Sequence, residues 1–249
     1  MFVRERTVGL IFQKKEFREA DQIISVFSQD FGRIEVLCKG IRKIASKLKY
    51  GIEIFYLSEI ETVKGYYSRI LTDVQVVEKF SQIRKNLARL SIAYQISEVL
   101  DGLIKESERE EKIWNLLLNT FSILNNQNLN LTICHLSFYY FFWNLVNVLG
   151  FGPRLKNCVF CQKRILNHLI YFSAEDGGVV CKECFLTQKK GERVSQRLIK
   201  FLRAFLEFEF DLIKKVKVKK SDFAEMKTIT KRYFQNLIEK HYASSNSNF

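Results

Sequence analysis

The stretch Cys158-Val159-Phe160-Cys161, followed after 19 residues by Cys181-Lys182-Glu183-Cys184, decides how the second half of this chain is read. Each Cys-x-x-Cys turn can aim two sulfurs at one point, and the interval between the pairs suits closure of a four-thiolate tetrahedral site on zinc. Four protein ligands leave no open position, so the ion would be structural and could not activate water. Its binding free energy would stand in for a core that so short a segment cannot build. The residues between the pairs fit this, because Ile170-Tyr171-Phe172-Ser173 and Gly178-Val179-Val180-Cys181 read as short strands around the turn 174–178. A zinc ribbon over 154–188 is the expected result. A redox dithiol or an iron site is the alternative, and a pair of disulfides is geometrically awkward within such tight pairs.

Around this centre the charge is uneven. The chain of 249 residues has a net charge of +13. Residues 1–80 carry 14 Lys and Arg against 11 Asp and Glu, residues 121–153 carry none of either, and residues 154–249 carry 20 against 10. Such a balance points to a polyanionic partner, nucleic acid before an acidic membrane surface. The charge-free stretch Leu131 to Leu149 contains Thr132, His135, Ser137, Asn144 and Asn147, so it reads as a buried helix of a bundle rather than a membrane span. His135 is then expected in the core. Cys38 and Cys134 lie in apolar surroundings and read as buried. The N-terminus begins with charge and has no apolar signal core, from which a cytoplasmic location is expected.

Upstream, residues 7–78 alternate in short apolar runs. Strands are expected at Val8 to Phe12, Ile23 to Phe27, Ile34 to Leu37, Ile52 to Val63 and Ile70 to Val77, with a turn over Lys15 to Glu19. Five strands with a long loop between the third and fourth suit an OB-type barrel, a platform for single strands; an SH3-like barrel is the alternative. The fold class is therefore α+β: a five-stranded OB-type β-barrel over 1–80, a helical domain over 81–153 and 189–242, and the inserted ribbon. Helical spacing runs from about Gln82 to Glu106. A capping box at Ser107-Glu108-Arg109-Glu110 opens the next helix, Gly150 and Pro153 end the third, and Ser195 and Ser221 cap the last two. The Ser- and Asn-rich tail 243–249 is expected to be disordered.

The loop Lys39 to Lys49 holds five cationic side chains, Lys39, Arg42, Lys43, Lys47 and Lys49, and no acidic one. On a barrel rim such a loop contacts phosphates without reading bases. A second run, Lys214 to Lys220, has five lysines in seven residues, and composition alone does not separate it from a solvated surface. Phe17, Phe31, Tyr50, Tyr66 and Tyr67 lie near the barrel loops and could stack bases. Enzyme templates are missing: there is no Gly-x-x-x-x-Gly-Lys, His-Glu-x-x-His, Gly-x-Ser-x-Gly or Lys-x-Asp-Gly, and none of the three histidines forms the His-x-Glu of a zinc deaminase. A non-catalytic protein is expected. The alternatives are a nucleic-acid enzyme with an unrecognised active site and a zinc-stapled protein–protein adaptor.

Particular stretches carry a resemblance. Phe17-Arg18-Glu19-Ala20-Asp21, Phe31-Gly32-Arg33, Lys39-Gly40-Ile41-Arg42, Leu149-Gly150-Phe151-Gly152-Pro153 running into Cys158, and Phe172 to Cys181 make the chain similar to the RecO family of bacterial recombination mediators over nearly its whole length. The resemblance implies binding of single- and double-stranded DNA, strand annealing, and loading of recombinase onto DNA coated with single-strand-binding protein, together with the partner RecR. Arg18 and Arg33, which stand in these stretches, join the loop cations as expected DNA contacts, and the resemblance implies a zinc finger where the spacing puts one zinc on Cys158, Cys161, Cys181 and Cys184. Gln162 departs from the family pattern, which has Gly there. The helical body matches only in apolar pattern, so no pocket for the acidic tail of single-strand-binding protein can be placed on residues.

Overall fold

Gly9 sits where the first strand passes from one side of a barrel to the other. A Cβ there would lie 2.3 Å from Val26 Cγ1, and Gly9 pairs with Ser28 on one neighbour and Ser58 on the other. Only a residue without a side chain lets the strand bend so close to its partner. The computed structural model describes residues 4–65, 68–105, 109–165, 169–207 and 209–246, and the chain divides into two compact units, Met1–Leu129 and Asn130–Phe249.

In the first unit, β1 (Arg4–Phe17), β2 (Asp21–Ser28), β3 (Gly32–Cys38), β4 (Leu57–Lys64) and β5 (Arg69–Glu78) close in the order β1-β2-β3-β5-β4. Every pairing is antiparallel except β3 with β5, which is parallel and joins only Val36 to Arg69 and Leu37 to Ile70. That closed order, with one strand shared by both halves, decides for the OB-type barrel over the SH3-like alternative. Alternating residues fill the interior, among them Ile11, Ile24, Val26, Val36, Ile60 and Leu71. The first strand is longer than alternation suggests: it runs through Phe17, leaving only residues 18–20 as the turn, because Lys15 to Phe17 pair with Ile23 to Asp21. The expected fourth strand starts late, at Leu57. Before it, Leu48–Gly51 form a 3-10 turn and Ile52 is buried without a strand partner.

Among the described residues, three helices complete this unit, α1 (Ser81–Arg84), α2 (Leu87–Leu103) and α3 (Glu111–Asn125). The single helix expected from Gln82 is broken because the Asn86 side chain accepts hydrogen bonds from the Ala88 and Arg89 N–H groups, starting α2 afresh. Glu110 rather than Ser107 caps α3, its side chain accepting from the Lys112 N–H; residues 106–108 lie outside the described residues. Buried Arg89 then donates to the carbonyls of Leu124, Asn126 and Leu129, holding the end of α3. These helices share a compact unit with the barrel, whereas the sequence groups them with the later helices. The physical reason is a set of ties between α2 and the barrel, among them Ser97 Oγ to the Phe12 carbonyl at 2.8 Å.

The second unit is built on α4 (Leu131–Val148), the charge-free helix. Its Leu136, Phe141, Phe142, Trp143, Leu145 and Val146 are all fully buried. No helix among the described residues is long and apolar enough to cross a membrane. His135 is exposed, edge-on to Phe223 with ring centres 6.2 Å apart, and so is not the core histidine expected. Gly150 has φ +84° at the helix end, the left-handed conformation that suits Gly. Cys38 and Cys134 are buried. The ribbon follows as β6 (Ile170–Ser173), β7 (Gly178–Cys181), α5 (Lys182–Gln188) and β8 (Glu192–Val194), the strands ordered β7-β6-β8. Its Phe172 faces Trp143 and Tyr233, so the hairpin shares the core of the helices. The unit closes with α6 (Gln196–Glu207), capped by Ser195 Oγ accepting from the Leu198 N–H, then α7 (Phe210–Ile213) and α8 (Lys220–Asn246). The start of α8 is held by Asp222, which accepts from the Lys219 N–H, and not by Ser221. Residues 243–246, expected as the start of a disordered tail, continue α8; residues 247–249 lie outside the described residues.

Candidate nucleic-acid interface and metal centre

Two loops of the barrel are stitched into one rim. The Gly40 N–H donates to Asp21 Oδ1 at 2.7 Å, and the Arg42 N–H donates to the Ala20 carbonyl at 3.0 Å, so the tip of the β1–β2 hairpin and the start of the Lys39 loop hold a fixed relation. On this rim Arg18 is exposed in a left-handed conformation with φ +55°, its guanidinium 5.1 Å from the Phe17 ring. Lys39, Arg42, Lys43 and Lys47 are exposed. Arg42 has one acidic neighbour, Glu16, at 3.6 Å, and this solvent-facing pair contributes little. Lys49 places its ammonium 5.0 Å from the Tyr50 ring centre. The rim is therefore a surface of cations with few carboxylates to neutralise them, as phosphate contact requires. Sequence reasoning has no signal for exposed Lys15, which the extension of β1 brings onto the same hairpin.

Arg33 does not belong to this surface. Its guanidinium donates to Asp101 Oδ1 at 2.6 Å, to Glu35 at 3.3 Å, to the Asp101 carbonyl at 3.0 Å and to the Ile104 carbonyl, and its side chain is only 11% exposed. It ties β3 to the C-terminal end of α2, which corrects its expected role as a DNA contact. Phe31 is likewise committed to structure: it packs on the barrel core, with the Arg69 guanidinium 4.7 Å from its ring. Tyr66 and Tyr67 lie outside the described residues. The lysines of 214–220 sit between α7 and α8. Lys214 pairs with Asp211 at 2.6 Å, and the turn is pinned by Arg197, whose Nε reaches both oxygens of buried Asp222 at 2.8 and 2.9 Å.

The four cysteines of the ribbon converge as their spacing predicts. The sulfurs of Cys158, Cys161, Cys181 and Cys184 all lie within 4.8 Å of one another. Cys161 Sγ and Cys181 Sγ, one from each knuckle, are 3.8 Å apart. A tetrahedron with metal–sulfur bonds of 2.3 Å has edges of about 3.8 Å, whereas a disulfide needs about 2.05 Å. The donor set thus fits a thiophilic ion. The Cys181 N–H points at Cys158 Sγ at 3.4 Å and the Cys184 N–H at Cys181 Sγ at 3.5 Å, which favours the thiolate form. Burial pushes the Cys158 thiol up, but the N–H groups of Cys181, Cys161 and Phe160 outweigh it and bring it down to about 6. Burial and the neighbouring sulfurs push Cys184 up to about 12. Gln162, directly after the first knuckle, has φ +62°, the conformation in which a Gly is unstrained; its side-chain amide donates to the Val159 carbonyl at 3.2 Å.

The fold and the site define a class of protein: a closed OB-type barrel with a cationic rim, in one chain with four cysteines close enough together to hold a metal ion. The comparisons with known proteins agree. Residues 1–80 match the family described as Recombination protein O N terminal, and residues 84–246 match Recombination protein O C terminal. DNA repair protein RecO of Dehalococcoides mccartyi strain 195 is 30% identical over 235 residues, covering 94% of this chain and 91% of that one. DNA repair protein RecO of Caldanaerobacter subterraneus subsp. tengcongensis is 24% identical over 239 residues, covering 96% and 95%, and that of Acetivibrio thermocellus 26% over 238 residues, covering 95% and 93%. The chain belongs to the RecO family of DNA repair proteins. The two family segments part at residues 80–84, while the compact units part at Leu129, because α1 to α3 pack with the barrel.

Proposed function

We propose that this protein is a recombination mediator that binds DNA through the barrel rim, anneals complementary single strands, and, with RecR, helps load recombinase onto DNA coated with single-strand-binding protein. The observation that carries the reading is the rim itself: Arg18, Lys39, Arg42, Lys43, Lys47 and Lys49 on two loops held by hydrogen bonds from the Gly40 N–H to the Asp21 carboxylate and from the Arg42 N–H to the Ala20 carbonyl. Annealing needs no reacting group. Cations that neutralise phosphates on two strands lower their repulsion, and a surface that leaves base edges unread lets any complementary pair zip. The partners come from the family resemblance, and the proposed setting is cytoplasmic and nucleoid-associated.

The four cysteines hold one zinc ion in this proposal. When bound, zinc supplies charge neutralisation and a cross-link between the two knuckles; Cys158, Cys161, Cys181 and Cys184 each supply one sulfur.

The test is an annealing assay with complementary oligonucleotides, without nucleotide or added divalent cation, alongside single-strand binding across a salt series. The protein should speed pairing, and EDTA should have little immediate effect. Replacing Arg42 and Lys43 together by Ala should weaken binding to all sequences alike and reduce the slope of log K against log salt by about 1.4. An unchanged slope would remove the rim from the interface, and nucleotide-dependent turnover would promote an enzyme in its place.

A further inference from the structure

Cations alone hold a phosphate backbone whether or not its bases are paired. The Lys39 loop carries one feature that cations do not explain. Its two ends are anchored in the barrel: Ile41 is 2% exposed at one end, and at the other Gly51 lies so close to β5 that a Cβ would meet Val74 at 2.6 Å, while the Gly51 carbonyl accepts Ser58 Oγ at 2.8 Å and Ile52 is fully buried. Tyr50 stands next to that anchor, in the 3-10 turn, and is nevertheless 70% exposed. A ring kept in water by a firmly seated backbone is preorganised: little freedom remains to be lost when something covers it. Its neighbours give the charge of whatever does so, since residues 39–52 contain five cations and no carboxylate, and the Lys49 ammonium lies 5.0 Å from the ring centre.

We propose that Tyr50 is a base-stacking platform and makes the rim prefer strands with unpaired bases over duplex. The inference rests on the rim being the DNA-binding face and says which form of DNA it selects. A flat, apolar ring between phosphate-binding cations is covered best by the face of a nucleobase, whatever the base, because all four present a π-face. In a duplex those faces are hidden in the stack, so Tyr50 adds nothing there, whereas the lysines contact both forms.

The experiment measures binding of the full-length protein to an oligothymidylate, to an abasic strand of the same length and charge, and to a duplex. Tyr50→Leu should lose about fivefold or more on oligothymidylate, with its salt slope unchanged and with binding to the abasic strand and duplex as in the parent. Tyr50→Trp should retain affinity, and its emission should be quenched by oligothymidylate, against a background of Trp114 and Trp143, which are buried. Parent-like binding by Tyr50→Leu, or an equal loss on the abasic strand, overturns the platform. The Arg42 and Lys43 double variant separates the two readings. If it weakens binding while Tyr50→Leu does not, the platform alone falls; if neither has an effect, the rim reading falls and takes the platform with it.

Discussion

The barrel and the four-cysteine region are both small β structures, and they are held together by different means. The barrel is closed on itself, encloses buried aliphatic side chains such as Ile24, Val26 and Val36, and carries α2 as a strap through Arg33 and Asp101. The cysteine region is divided within itself. Its hairpin β6–β7 puts Phe172, Val179 and Val180 into the core of the second unit, but α5 has no buried residue, and the first knuckle is held by backbone hydrogen bonds, the Cys158 N–H to the Lys163 carbonyl within it and the Val159 N–H to the Val179 carbonyl of the hairpin. The comparison teaches where the proposed ion would matter. It would serve the knuckles, while the barrel and the hairpin have cores to rely on.

The largest effect should come from the sulfurs. Cys181→Ser should lose the metal, since structural zinc contributes on the order of 10 kcal/mol to such sites. Limited proteolysis of the metal-free protein should then cut within 156–165 and α5 while sparing the barrel. Metal analysis of freshly prepared parent protein should find one zinc per chain, and its absence would break the contrast at once. A smaller effect, on the other side of the comparison, is expected from Arg33→Ala, which leaves Asp101 and the end of α2 without their partner. Urea unfolding should show a loss of about 2 to 4 kcal/mol with the zinc still bound; a loss below about 1 kcal/mol would mean that the strap is dispensable. The smallest change is at Gln162. Gly there relieves a left-handed conformation at the loss of one side-chain hydrogen bond, so Gln162→Gly should resist a chelator better by about 1 kcal/mol or less, read from the rate of zinc release. Faster release would show that the amide bond to Val159 outweighs the strain.

The cysteine cluster was fully legible, because Cys-x-x-Cys spacing is a local geometric instruction and the ligands need no knowledge of the rest of the chain. The five barrel strands were legible as alternating runs, but their order was not, since alternation records which face is inside and says nothing of which neighbour lies alongside. Local competition explains most boundary errors. Asn86 takes two backbone N–H groups that a continuous helix would have used, and Glu110 caps α3 where Ser107 had the better-known motif. Arg33 shows the limit at the site itself. A cation beside a Gly turn looks like a phosphate contact until Asp101, far away in sequence, is found against it. The rim lysines could be found because no acidic residue interrupts them, and Tyr50 could be separated from the other aromatics only by its exposure.

The two-residue seam between β3 and β5 has a consequence for how the barrel is reached from the unfolded chain. The β1–β2 and β2–β3 hairpins join neighbours across short turns and can form early, each with little loop entropy to overcome. The seam joins Val36 to Arg69 and Leu37 to Ile70 with β4 and the whole cationic loop in between. That contact can be made only after the long loop has been drawn in and β5 laid along β4, and it then rewards the chain with just two residue pairs. The seam is thus the least rewarded pairing of the topology, although the β1–β4 pairing joins residues farther apart in sequence, and the Lys39 loop, seated against β5 through Gly51 and Val74, takes its fixed form with it.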